Sequence, residues 1–251
     1  MQTRHVPQID LRYWFGIIFA SIFGTNLGDL YAHDSGLGIG LGVLLLVALF
    51  AAIYAIERQE RASHEVYYWC AIIIIRTGAT NIADYLAFRR HIPAVPLAAG
   101  LAALIAMLML TAGSSSPASA SGRSPDPSLQ KTHLIYWAAM LAAGVFGTVA
   151  GDVCSHHFGQ GPSAITLGLV FALLVFFTQA RVVTSVPLYW CIVAVARTAG
   201  TCMGDWFAEN RMLHLGLPLS TLMTGAAFVA ILTVWRSAPK ASSAQTRSAP
   251  R

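Results

Sequence analysis

The chain has 251 residues, of which 56% are hydrophobic and 11% charged, with a mean hydropathy of +0.61 and a formal charge of +5. That is too much apolar side chain for one soluble core of this size to enclose, which excludes an ordinary soluble domain and makes lipid the natural solvent. The positive charge gives no reason to invoke nucleic acid, because it follows from where the basic residues fall along the chain.

A membrane-crossing helix needs ~20 mostly apolar residues. Eight such stretches lie between turn-like or charged breaks, near residues 11–31, 37–56, 66–87, 95–112, 134–154, 162–179, 186–207 and 215–235. The first follows a polar decapeptide and ends in Asn26, Gly28 and Asp29 without a small-x-small cleavage pattern, so it reads as a mature helix and not as a signal peptide. The glycine-rich run from Gly36 to Gly40 lacks the Lys-Ser/Thr of a phosphate loop and is expected to let the second helix pack tightly on the first. A Ser-, Pro- and Ala-rich segment at 114–130 reads as a flexible linker between an N-terminal four-helix half, 1–113, and a C-terminal half, 131–236. Residues 237–251 share its composition and read as a disordered cytoplasmic tail. The continuous apolar runs do not match the alternating segments of a membrane barrel. The expected class is therefore all-α, a polytopic eight-span bundle.

Lys and Arg are distributed unequally over the two sides. Arg4, Arg12, Arg58, Arg61, Arg123, Lys131, Arg181, Arg236, Lys240, Arg247 and Arg251 fall on one side, against Arg89, Arg90 and Arg211 on the other. This predicts an inner-membrane protein with both termini cytoplasmic. Cys70, Cys154, Cys191 and Cys202 form no CxxC pair, lie in or at the ends of predicted helices, and are expected to serve as small buried hydrophobes.

The chain aligns with itself on four Tyr-Trp pairs: Tyr13-Trp14, Tyr68-Trp69, Tyr136-Trp137 and Tyr189-Trp190. Eleven residues beyond each Trp stands Thr25, Thr80, Thr148 or Thr201, and fifteen beyond it stands Asp29, Asp84, Asp152 or Asp205. The residues one and five before each Asp are small, as in Gly28 and Gly24 or Ala83 and Ala79, a pattern that lets helix backbones approach. FGTNLGD in the first copy resembles FGTVAGD in the third, and RTGATNIAD in the second resembles RTAGTCMGD in the fourth. The copies thus form four parallel two-helix repeats in two pseudo-symmetric halves. The Tyr-Trp pairs, at the starts of helices, are expected to anchor at headgroup level.

These Tyr-Trp openings and the GTNLGD, TNIAD, GTVAGD and CMGD helix ends resemble an uncharacterised family of bacterial membrane-anchored proteins with four tandem two-helix repeats, each with a characteristic Trp. The resemblance implies the eight-span topology and carries no biochemical activity with it.

In a helix each Thr lies one turn before its Asp and is placed to donate a hydrogen bond to it. Arg76 and Arg197 lie one turn further back, ~12 Å from their Asp, too far for direct contact. Arg76 is thus expected to pair with a carboxylate on a neighbouring helix. Ionisable groups at such depth belong inside the bundle, where they mark transport pathways. The expected function is a secondary transporter or channel for a small ion or polar solute, with the four Asp, four Thr and two Arg as its binding site. The alternative is a non-catalytic scaffold or assembly factor in which the same groups tie helices together. No nucleophile-base pair points to an enzyme, and no cofactor is implied. His33, His156 and His157, just past their Asp, are weak candidates for a metal entry point.

Overall fold

The computed structural model describes residues 6–34, 38–59, 65–114, 132–179, 185–210, 213 and 215–235, with backbone alone at 33–34, 38–39 and 111–114. These residues form α1 (Leu11–Asp34), α2 (Gly38–Gln59), α3 (Glu65–Asp84), α4 (Ala94–Ser114), α5 (Leu134–Phe158), α6 (Gln160–Gln179), α7 (Val186–Glu209) and α8 (Gly216–Val234). A π-helical turn, Tyr85–Arg89, continues α3. Seven of the described helical stretches are long and apolar enough to cross a bilayer, and α4 contributes an apolar stretch over Ala94–Leu110, at the short end of that range. The predicted linker beyond Ser114 and the predicted tail at 237–251 lie outside the described residues.

Local chemistry sets several helix ends. The Asp10 carboxylate accepts the Tyr13 backbone N–H at 2.9 Å at the start of α1, and Ser185 Oγ accepts Leu188 N–H at 3.3 Å at the start of α7. Gly159, at φ +86°, ends α5 in a conformation that L side chains rarely adopt and so makes the short turn into α6.

The odd-numbered helices α1, α3, α5 and α7 stand side by side as a closed inner ring, and the even-numbered helices pack outside it. Each outer helix lies chiefly on the inner helix that follows it in the chain: α2 on α3, α4 on α5, α6 on α7, and α8 back on α1. This corrects the expectation that α2 packs on α1. The two meet only lightly, as where Gly42 approaches Tyr31, while Gly40 faces open space. Arg12 fastens the closure, bonding Glu65 at 2.8 Å and the Leu232 carbonyl at 3.0 Å.

Polarity runs from inside out. The buried polar and charged groups are concentrated on the inner helices, whereas outer-helix residues such as Leu44 (66% exposed) and Leu110 (75%) face outward. Such a surface is stable against hydrocarbon and not against water, which makes the chain a membrane protein. Two of the cysteines depart from their expected burial: Cys70 and Cys191 are exposed, while Cys202 is buried. Exposure to lipid costs a thiol little, so the face of the helix decides its place.

The small residues do what their spacing implies. A Cβ on Gly24 would lie 2.5 Å from Arg76 Cγ, one on Gly147 2.4 Å from Arg197 Cβ, and one on Gly200 2.3 Å from Ser21 Cβ. One on Gly144 would lie 2.7 Å from Ala79 Cβ. All four inner contacts therefore bring backbones to near-minimal separation, and the side chains they bracket are forced onto a common axis.

Candidate functional site: a layered axis

Along each inner helix the axial residues recur every fourth position, so the axis is built in layers of four. At the N-terminal end, the hydroxyls of Tyr13, Tyr68, Tyr136 and Tyr189 close a ring, with successive O···O distances of 2.9, 2.7, 3.0 and 2.6 Å. Each Tyr ring packs against the Trp of the next repeat: Tyr13 on Trp69, Tyr68 on Trp137, Tyr136 on Trp190 and Tyr189 on Trp14, at 5.6 to 5.8 Å between centroids. All eight side chains are buried, the tyrosines at 1–4% exposure. The expected headgroup belt is thereby corrected. These aromatics plug the inner ring, because four phenols can satisfy one another there and need no water.

One turn further in lies an apolar layer of Ile17, Ile72, Met140 and Val193, each 0% exposed. The next layer holds Ser21, Arg76, Gly144 and Arg197, and the two arginines leave it in opposite directions. Arg197 turns back toward the tyrosine end, donating to Ser21 Oγ at 3.1 Å and reaching Met140 Sδ at 3.9 Å. Arg76 turns the other way into the threonine layer. Its Nη1 donates to Thr80 at 3.0 Å and Thr148 at 2.8 Å, and its Nη2 to Thr25 at 2.5 Å and Thr201 at 2.6 Å.

The asymmetry has a cause in the sequence. Ser21 and Met140 line the seat of Arg197, whereas the repeat-equivalent positions open to Arg76 are Gly144 and Ile17, which offer neither hydroxyl nor sulfur. Two like charges also avoid sharing one layer of a low-dielectric interior. Both guanidiniums are wholly buried, and neither Nε has a hydrogen-bond partner.

The structure thus brings the ten predicted residues to one axis, with different bonds. The threonine hydroxyls do not donate to the aspartates one turn on; they accept from Arg76 and give their protons to carbonyls four residues back. Nor do the terminal nitrogens of Arg76 bond a carboxylate, because the four hydroxyls already take all four of their N–H groups.

The aspartates form the last layer, near the C-terminal ends of the inner helices. Asp29, Asp84 and Asp205 are half-buried and Asp152 is exposed, whereas the threonines one turn below are buried. The four carboxylates and Arg76 share one electrostatic environment. Arg76 lies in the fields of Asp29, Asp152 and Asp205, Asp152 faces Asp84, and Asp205 faces Asp152 and Asp29. Glu209 adds a further negative charge beside Asp152 and Asp205. Each inner helix also directs the negative end of its dipole toward this mouth.

His156 and His157 are exposed at the end of α5 with ring centroids 5.7 Å apart, and the His33 side chain lies outside the described residues. Among the described residues, no three His, Cys, Asp or Glu side chains group as a metal site. Sequence reasoning missed Ser21, Met140 and the tyrosine ring as axial residues. The signal was present: counting back in fours from Asp29 through Thr25 reaches Ser21, Ile17 and Tyr13. It also missed Asn26, whose amide donates to Ser220 Oγ on α8 at 2.6 Å.

No curated protein and no solved structure matches the chain. A family model described as a repeat of unknown function (DUF347) matches it twice, over residues 12–61 and 188–240. Each match begins at a Tyr-Trp helix and runs through the outer helix that follows, so the two take in the first and fourth copies of the axial residues, and the middle two copies follow from the same spacing. The chain thus carries this repeat of unknown function at both ends, which fits the uncharacterised repeat family that its motifs resemble.

Proposed function

We propose that the protein is a secondary transporter for a small cation or a proton-coupled polar solute, with the aspartate ring as its binding and coupling site. The observation that carries this reading is the graded axis: carboxylates at an accessible mouth, a buried guanidinium one layer below, and a hydrogen-bonded aromatic plug at the far end. Four carboxylates and four helix C-termini concentrate cations at the mouth. The two buried arginines and the tyrosine ring oppose free passage beyond it. An open cation channel is thereby disfavoured, and a pathway that must rearrange to conduct is favoured. The Lys and Arg bias supports a bacterial inner membrane with both termini cytoplasmic, so the mouth faces the opposite side.

Asp152→Asn and Asp205→Asn, separately and together, test this in vesicles of the purified protein. Each variant should fold as the wild type does and lose most of its cation- or proton-dependent flux. Folded wild-type protein that moves no cation and no protons under an imposed gradient would leave the scaffold reading. That reading draws on one specific observation, the full saturation of the Arg76 terminal nitrogens and of the tyrosine hydroxyls by partners within the bundle.

A further inference from the structure

We propose that the ring of Thr25, Thr80, Thr148 and Thr201 is a seat for a monovalent cation, which Arg76 fills as a tethered stand-in; the proposal takes its biological meaning from the transport reading.

A hydroxyl has one proton to give and lone pairs to accept with. All four threonines direct that proton away from the axis, to the carbonyls of Ser21 (2.9 Å), Arg76 (3.4 Å), Gly144 (3.4 Å) and Arg197 (3.2 Å). Toward the axis each Oγ1 therefore presents only lone pairs. Four converging oxygens without a donor among them bind cations and reject anions.

The origin of the parts points the same way. Each repeat contributes one threonine, so the seat is fourfold, while arginine comes in two copies and only one occupies it. A tie evolved to hold buried arginine would treat the two alike. Instead Arg197 turns away toward Ser21 and Met140, and the ring accepts a single guanidinium through four N–H bonds. The orphaned Nε leaves the neck of Arg76 unlatched.

Ligand type names the class. Neutral oxygens suit a weakly hydrated monovalent ion such as potassium, ammonium or guanidinium, whereas Mg²⁺ keeps its waters and takes carboxylates. Occupancy is exclusive, since a second positive charge in the ring would be repelled by the first. A cation gathered by the aspartates above can enter only as Arg76 withdraws, which couples entry to movement of a buried charge along the axis.

The experiment is thermal unfolding of full-length Arg76→Ala in lipid nanodiscs, with low-millimolar guanidinium, ammonium, potassium, sodium or magnesium chloride at matched ionic strength. Emptying the seat should lower Tm. At least one monovalent cation should then raise it saturably by about 5 °C or more at a hundredfold excess over Kd. The response should exceed any shown by wild type, whose seat is filled and whose aspartates alone are open to cations, and adding Thr148→Val and Thr201→Val should reduce it to the wild-type level. If Arg76→Ala does not accumulate folded, Arg76→Gln carries the same test with a neutral side chain. The proposal is overturned by no monovalent response, by magnesium alone acting, by an equal response in wild type, or by a response that survives loss of the threonines. Binding without wild-type flux would sink the transport reading and keep the seat; flux without binding would do the reverse.

Discussion

Replacing the ring tyrosines by phenylalanine in chosen combinations should produce an order of stabilities that only a closed hydrogen-bond ring explains. In the ring each hydroxyl donates once and accepts once. Removing one, as in Tyr136→Phe, breaks the bonds to Tyr68 (2.7 Å) and Tyr189 (3.0 Å) and leaves one neighbour with a proton and no acceptor. At about 1 kcal/mol per bond and about 1.5 kcal/mol for the orphaned donor, a single replacement costs about 3.5 kcal/mol. The neighbouring pair Tyr13 and Tyr68 loses three bonds and strands one donor, about 4.5 kcal/mol. The opposite pair Tyr13 and Tyr136 loses all four bonds and strands two donors, about 7 kcal/mol. All four replacements together lose four bonds and strand none, about 4 kcal/mol. Reversible unfolding in mixed micelles reads these differences directly. If the bonds are weaker in the membrane setting every value shrinks, but the opposite pair stays the most costly and the quadruple variant stays below both pairs. An opposite pair no worse than the neighbouring pair, or a quadruple variant worse than either, would refute the closed ring.

Gly147→Ala places a methyl 2.4 Å from Arg197 Cβ and should cost about 1–3 kcal/mol by forcing α5 and α7 apart, while Gly100→Ala, with nothing within 4 Å, should be neutral or gain about 0.5–1 kcal/mol; thermal melts compare the two. Ser21→Ala removes the one hydroxyl that accepts from Arg197 and should cost about 2 kcal/mol. Met140→Leu keeps the volume, gives up only a 3.9 Å sulfur contact, and should cost less than Ser21→Ala in the same unfolding assay.

Much of the molecule is legible in the amino-acid sequence. Apolar run lengths decided that the chain is a helical membrane protein, since hydrocarbon admits helices of one length and little else. The constant Trp-Thr-Asp spacing decided that four equivalent helices carry equivalent polar groups at equal depth. The small residues beside each Asp decided that those helices approach closely, which is what places Gly24 against Arg76 and Gly147 against Arg197.

What tertiary structure alone decided is who bonds whom across the axis. A spacing along one helix places Thr148 one turn from Asp152, yet its oxygen faces the Arg76 guanidinium from another repeat. Likewise, an aromatic pair at a helix start looks like a headgroup anchor until three other helices bring their own pairs to meet it. The opposite turns of Arg76 and Arg197 depend on single residues of neighbouring helices, Ser21 and Met140 against Gly144 and Ile17. Hydrogen bonds are short and directional, so partners that lie far apart in the chain are settled only when the ring closes.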